Sequence, residues 1–182
     1  MHADNWANKA KQEGYRTRAV YKLEEILQKT KSLKKSQNVL DLGSAPGGWS
    51  HYIKKKSPNS GVYAIDILDM EAVDGVYFFQ NSIEEIDSID LIRSKMGSFG
   101  LVISDIAPNI TGINAIDIEN IYELNILTLD TAAKYLNKSH GSFIMKTFQN
   151  SMLKNLRKKM ELSFKIVQTF KPAASKKQSG EI

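Results

Sequence analysis

Short apolar runs and helically spaced apolar positions take turns along this chain. Val39–Leu42, Gly61–Asp66, Val76–Gln80, Phe99–Asp105 and Gly141–Phe148 are compact apolar stretches next to Gly, Pro, Asn or Ser, and each predicts a strand. Phe164–Phe170 predicts a sixth. Between them, Val20, Leu23, Ile26 and Leu27 follow helical spacing within 19–27. Trp49–Lys56, Asp117–Leu136 (with Ile121, Leu124, Leu127 and Leu129) and Met152–Leu162 predict further helices. Strands alternating with amphipathic helices predict an α/β fold, a mostly parallel sheet with helices on both faces. The run at 99–105 is apolar almost throughout, as suits the centre of such a sheet.

Composition narrows this picture. A chain of 182 residues predicts one domain with a real core, spanning 1–182. The hydrophobic share is 42%, and no apolar run reaches membrane-spanning length, so no membrane partner is expected. The first residues are polar and lack the apolar stretch of a signal peptide. With no cysteine, disulfides, cysteine-based zinc sites and a cysteine nucleophile are excluded. No metal-ligand cluster stands out, so no metal is expected. A net charge of +5 and a pI near 9.2 suit a polyanionic partner such as nucleic acid. Residues 4–18 interleave Lys9, Lys11, Arg16 and Arg18 with Trp6 and Tyr15, a mixture that suits RNA phosphates and unpaired bases. A solvated helix with its aromatics packed on the body explains the same stretch.

Chemistry concentrates at Asp41-Leu42-Gly43-Ser44-Ala45-Pro46-Gly47-Gly48-Trp49-Ser50. A strand breaks into a Gly/Pro turn and resumes as a helix, the place where α/β proteins bind ligands. The spacing is not that of a phosphate-binding P-loop, and it disfavours a dinucleotide. Asp66 closes the second strand, where an acid accepts hydrogen bonds from ribose hydroxyls. Lys146 falls inside an apolar strand, which is costly unless the lysine opens into a polar site.

The decapeptide 41–50 closely resembles the first motif of the FtsJ/RrmJ family, S-adenosylmethionine-dependent methyltransferases acting on ribose 2′-hydroxyls of RNA. Four further stretches resemble that family in order: 10–23 (A-K-x-E-G-Y-R-x-R-A-x-Y-K-L), 104–112 (S-D-x-A-P-N-x-T-G), 140–148 (His140 for the first glycine of G-G-S-F-x-x-K-x-F) and 171–182. The resemblance implies a Rossmann-like methyltransferase fold with an antiparallel last strand. It implies a catalytic tetrad of Lys22, Asp105, Lys146 and Glu181. Gly43, Ser44, Pro46, Gly47, Gly48 and Trp49 would wrap the methionine end of the cofactor, with Asp105 beside the methyl group. Asp66 and Ile67 would meet the cofactor's ribose, and Ser82 stands where the family carries an adenine-contacting Asp. The N-terminal arm, about 1–20, together with Lys171, Lys176 and Lys177, would contact RNA.

The implied reaction moves a methyl from S-adenosylmethionine to a 2′-oxygen and leaves S-adenosylhomocysteine. Lys146 would draw off the hydroxyl proton, which requires its neutral form; burial and a second cation favour that form. Asp105 and Glu181 would orient the lysines. Large-subunit ribosomal RNA, or the assembled subunit, is the expected partner of a monomeric enzyme. Transfer RNA and a non-catalytic ribosome-assembly role are the alternatives. The compartment would be the cytoplasm in a bacterium, or a mitochondrion, plastid or nucleus in a eukaryote.

Overall fold

The computed structural model describes residues 3–175 and 180–182. Five strands form one sheet: β1 Asn38–Leu42, β2 Gly61–Asp66, β3 Val76–Gln80, β4 Phe99–Ser104 and β5 Ser142–Met145. Their order is β3-β2-β1-β4-β5, and every pairing is parallel. The chain winds outward from β1 to β3 on one side, then crosses back to build β4 and β5 on the other. The direction therefore reverses between β1 and β4, and the carboxyl ends of those two strands flank a crevice.

Side-chain alternation sends each strand's residues to two separate cores. Val39, Val62, Leu101, Ile103 and Ile144 pack with α2 (Val20–Thr30) and α3 (Gly48–Lys56) on one face. Leu40, Leu42, Tyr63, Ile65, Phe99 and Val102 face α5 (Asn114–Tyr135) on the other. A 3₁₀ turn at Ile83–Ser88 and the short α4 (Asp90–Arg93) add Ile83, Ile86 and Ile92 to that second core. β4 is buried at every residue, as its unbroken apolar run requires.

At the N-terminus α1, Ala3–Gln12, is helical. Trp6 and Tyr21 pack at a tilt with ring centroids 4.9 Å apart, so the aromatics of this stretch pack onto the body. α6, Leu153–Ser163, follows β5. No helix among the described residues is long and apolar enough to cross a membrane.

Two expectations need correction. Phe164–Phe170 forms no strand. Lys165, Ile166, Gln168 and Thr169 are exposed, and the segment is held by a Phe143–Phe164 stack and by Arg157, which donates to the Val167 carbonyl at 3.0 Å. The segment pairs with neither outer strand of the sheet, and local pattern without pairing does not make a strand. The antiparallel last strand is also absent from the sheet. In its place, 147–149 and 180–182 exchange backbone hydrogen bonds around an isolated antiparallel bridge between Phe148 and Glu181.

Candidate functional site

The Gly-rich turn leaves β1 at the reversal point of the sheet. Gly43 has φ +74°, and a Cβ there would lie 2.5 Å from the Ile106 Cβ. Gly47 has φ +92°, and its Cβ would lie 2.7 Å from the Met70 sulfur and 2.9 Å from an Arg16 nitrogen. Both positions need glycine for conformation and for space. The turn is tied to β2: the amides of Gly43 and Ser44 donate to the Ile65 carbonyl, and the Ala45 amide donates to Asp66 Oδ2 at 2.9 Å. The Leu68 amide caps the other oxygen, Asp66 Oδ1, at 2.8 Å. Asp66 thus holds two loops together at the carboxyl edge, and each of its oxygens keeps a further lone pair for a ligand. Beside it, Ile67 and Leu68 are 68% and 63% exposed, an apolar surface next to the carboxylate. The Ser44 hydroxyl is buried without a partner among the described residues.

Asp105 and Lys146 come next along the same edge. The pairing of Ser104 with Met145 makes them neighbours just beyond β4 and β5. The expected placement of Lys146 within the strand is therefore corrected by one position: β5 ends at Met145. The Lys146 amide continues the ladder to the Ser104 carbonyl at 2.8 Å. Its ammonium donates to the Asp105 carbonyl at 2.6 Å. It also lies 2.9 Å from Asp105 Oδ1, an ion-pair contact at an angle unlike a hydrogen bond's. Lys146 is largely enclosed, with 12% of its side chain exposed.

The tail completes the set. The bridge to Phe148 brings Glu181 within two residues of Lys146 along the edge. Its carboxylate accepts from Lys22 Nζ at 2.7 Å, across 159 positions of sequence. Lys22 with Glu181 and Lys146 with Asp105 form two ion pairs, linked along this edge by the bridge between Phe148 and Glu181. The loop beyond Asp105 is shaped by Asp117 on the first turn of α5. Asp117 accepts from the Thr111 amide and hydroxyl, both at 2.7 Å, and from the Gly112 amide at 3.1 Å. These bonds hold its carboxyl below the ordinary carboxylate value.

Several expected site residues have other duties. Trp49 is buried in the core, with its indole N–H on the Ala19 carbonyl at 3.0 Å, so only its backbone can reach a ligand. The Ser82 hydroxyl caps the 3₁₀ turn, accepting from the Glu84 amide and donating to the Glu84 carboxylate, both at 3.2 Å. One acceptor lone pair remains on the hydroxyl. Arg16 is bound to backbone carbonyls: Pro46 at 2.9 Å, Glu71 at 2.7 Å and Ala72 at 2.7 Å. These bonds brace the Gly-rich turn and use part of the guanidinium's donor set. Gly48 sits against the Thr17 hydroxyl, 2.5 Å from where a Cβ would stand. Lys9 lies over the Trp6 and Tyr21 rings and 3.7 Å from Glu13, while Lys11 is exposed and Arg18 half-buried. Lys176 and Lys177 lie outside the described residues.

The residue that sequence reasoning missed is Asp41, which lies within β1 with no exposed surface. Its Oδ2 accepts from the Ser50 hydroxyl at 2.6 Å, and its Oδ1 has no partner among the described residues. Burial, and then the nearby charges of Asp105 and Asp66, push its carboxyl up to about 7. The signal was available: like Lys146, Asp41 is an ionisable residue inside an apolar run. Among the described residues, no cluster of His, Asp and Glu could hold a metal ion.

Residues 15–182 match the sequence family described as FtsJ-like methyltransferase. A Psychrobacter protein named ribosomal RNA large subunit methyltransferase E is 41% identical over 98% of this chain and 86% of its own length. A Dechloromonas aromatica protein of the same name is 38% identical over 98% and 88%. In three dimensions the chain resembles a crystal structure from Plasmodium falciparum described as a ribosomal RNA methyltransferase. That match has a TM-score of 0.78 and 29% identity, covering 88% of this chain and 93% of the other.

Proposed function

Because the chain belongs to the FtsJ-like methyltransferase family, we propose that it methylates a ribose 2′-hydroxyl of large-subunit ribosomal RNA, with S-adenosylmethionine as donor. What supports this reading is that Lys146 pairs with Asp105 and Lys22 pairs with Glu181, with the tail bridged to Phe148 two residues beyond Lys146. The glycine turn after β1 has no room for side chains.

The residues fit the cofactor. Gly43 and Gly47 let Ile106, Met70 and Arg16 close against the turn and keep its backbone bare, and the buried Ser44 hydroxyl lacks a partner among the described residues. Gly43, Ser44, Pro46, Gly47, Gly48 and the Trp49 backbone would hold the methionine end. Asp66 would accept from the ribose hydroxyls, with Ile67 and Leu68 giving an apolar face beside them. The Ser82 hydroxyl, with one acceptor lone pair left by its cap, and backbone groups near it would read the adenine. When bound, S-adenosylmethionine supplies a sulfonium-activated methyl and becomes S-adenosylhomocysteine.

A 2′-hydroxyl is a weak nucleophile until its proton is drawn away. Lys146 takes that role, at the carboxyl end of β5 next to Asp105. Asp105 fixes the lysine with both its backbone carbonyl and its carboxylate. Lys22, held by Glu181, adds a second cation where negative charge builds on the attacking oxygen. Alignment of the hydroxyl with the methyl supplies much of the remaining rate.

The test is transfer of tritiated methyl from S-adenosylmethionine to unmethylated large subunits, free large-subunit RNA and transfer RNA. Methylated ribose is read as an alkali-resistant dinucleotide. Label in the ribosomal RNA supports the proposal, and label only in transfer RNA moves the substrate. Cofactor and RNA binding with no transfer to any substrate would leave a non-catalytic protein.

A further inference from the structure

Beside the Gly-rich turn, with neither Asp105 nor Lys146 in its lining, lies a cleft of about 500 Å³. Arg16, His51, Lys54, Lys55 and Asp74 supply its charged and titratable lining, with Val73 among the apolar contributors. Three cations therefore face one carboxylate. Among the described residues, none of the three is paired with an acid. Lys54 donates to the carbonyls of Pro58 (2.8 Å) and Ser60 (2.9 Å). Lys55 donates to the Glu13 carbonyl at 3.1 Å and lies 4.6 Å from the Tyr15 ring centre. Arg16 is held by the three carbonyls described above. Carbonyl dipoles fix where these cations sit but leave their charge uncancelled. An ammonium has three donors and a guanidinium five, so each keeps donors for a further acceptor.

His51 lies among them. Its Nδ1 is buried and has no partner among the described residues, and its ring meets Tyr15 edge-on at 5.7 Å. Burial, then the charges of Arg16 and Lys55, hold the imidazole below its ordinary value. An anion in the cleft would oppose both charges and give the imidazole a reason to protonate. The Tyr15 ring is already covered by Lys55, so the cleft offers no open aromatic face for a base to stack on. Its chemistry is that of a phosphate site.

The geometry points to this cleft as a docking site for a backbone phosphodiester of the RNA substrate, separate from the methyl-transfer crevice. This rests on the proposed function for the identity of the polyanion, though not for the existence of the anion site. Arg16 belongs to both places, since it lines the cleft and holds the Pro46 carbonyl of the cofactor turn. RNA docked here would lie against the element that positions the methyl donor.

Two measurements on the full chain test it. The first follows the His51 ring by NMR across pH, alone, with inorganic phosphate, and with a single-stranded ribo-oligonucleotide of about 20 nucleotides. Arg16, Lys54, Lys55, Asp74 and Tyr15 are the groups facing that ring. RNA should raise the His51 midpoint. A rise with inorganic phosphate alone would mean a free-anion site and overturn the RNA assignment, and no rise with either would overturn the cleft as an anion site. The second compares wild type with Lys55→Gln, an exposed position that should fold normally. Each phosphate contact to single-stranded RNA contributes about 0.7 to the slope of log K against log salt, or about five-fold in affinity at about 0.1 M. The variant should lose one such increment while cofactor affinity stays unchanged. An unchanged slope overturns the inference even where wild-type methyl transfer is intact. Absent wild-type transfer with a normal Lys55 effect overturns only the proposed reaction.

Discussion

Replacing Asp41 with Asn should change how stability depends on pH, and the size of the change follows from the site. A carboxyl raised from an ordinary 3.8 to about 7 keeps its proton in the folded chain over a range where the unfolded chain has lost it. Between those values the native state binds one more proton than the unfolded state, so unfolding free energy falls as pH rises. Each unit costs about 1.36 kcal/mol, and roughly three units give a loss of about 4 kcal/mol between pH 4 and 7. Below pH 4 both states are protonated and there is no loss; above pH 7 the loss is complete. Asn removes the proton but keeps the shape, since its carbonyl oxygen can accept the Ser50 hydroxyl in place of Oδ2. Its amide would sit where Oδ1 now lies unpartnered, a constant offset of about 1–3 kcal/mol. The slope is unaffected by that offset, and titrations common to both proteins cancel. Urea unfolding of the cofactor-free proteins at several pH values should show the variant gaining on wild type by about 4 kcal/mol from pH 4 to 7. Parallel curves over that range would refute the assignment of an elevated, buried Asp41.

Lys146→Ala should lower methyl transfer by about 10²–10⁴-fold while cofactor and RNA affinities hold, and wild-type turnover in the variant would remove it as the base. Adding Lys22→Ala should cost less than the product of the single effects, because the residues act as a unit; a fully multiplicative loss would separate them. Asp66→Ala should weaken S-adenosylmethionine binding by about 1–3 kcal/mol in titration calorimetry, and unchanged affinity would exclude it from the ribose contact. Gly47→Ala forces a side chain into a positive-φ position against Met70 and Arg16, so stability should fall by about 1–3 kcal/mol, with cofactor affinity falling too. A neutral result in thermal unfolding would mean the turn relaxes freely.

The strands and the glycine turn were legible because their information is local. A run such as 99–104 has no polar face, so its burial on both sides is written in its composition. Turn residues at 43–48 announce a sharp reversal between strand and helix in the same way. Lys146 and Asp66 could be singled out because an ionisable group inside or ending an apolar strand is anomalous on its face, and the same reasoning reaches Asp41. The segment 164–170 shows where local pattern fails, because strand formation needs a partner edge and none reaches it. What tertiary structure alone decided was which polar groups are already satisfied. Arg16 reads as an unanchored cation until three carbonyls, 30 to 56 positions away, fix where it sits. Trp49 reads as a ligand contact until its indole is found on Ala19, and Ser82 until its hydroxyl caps a 3₁₀ turn. The Lys22–Glu181 pair exists only because the tail returns to lie beside 147–149. Sequence specifies which donors and acceptors a chain carries. Their mutual satisfaction depends on distances between remote segments, and folding sets those distances.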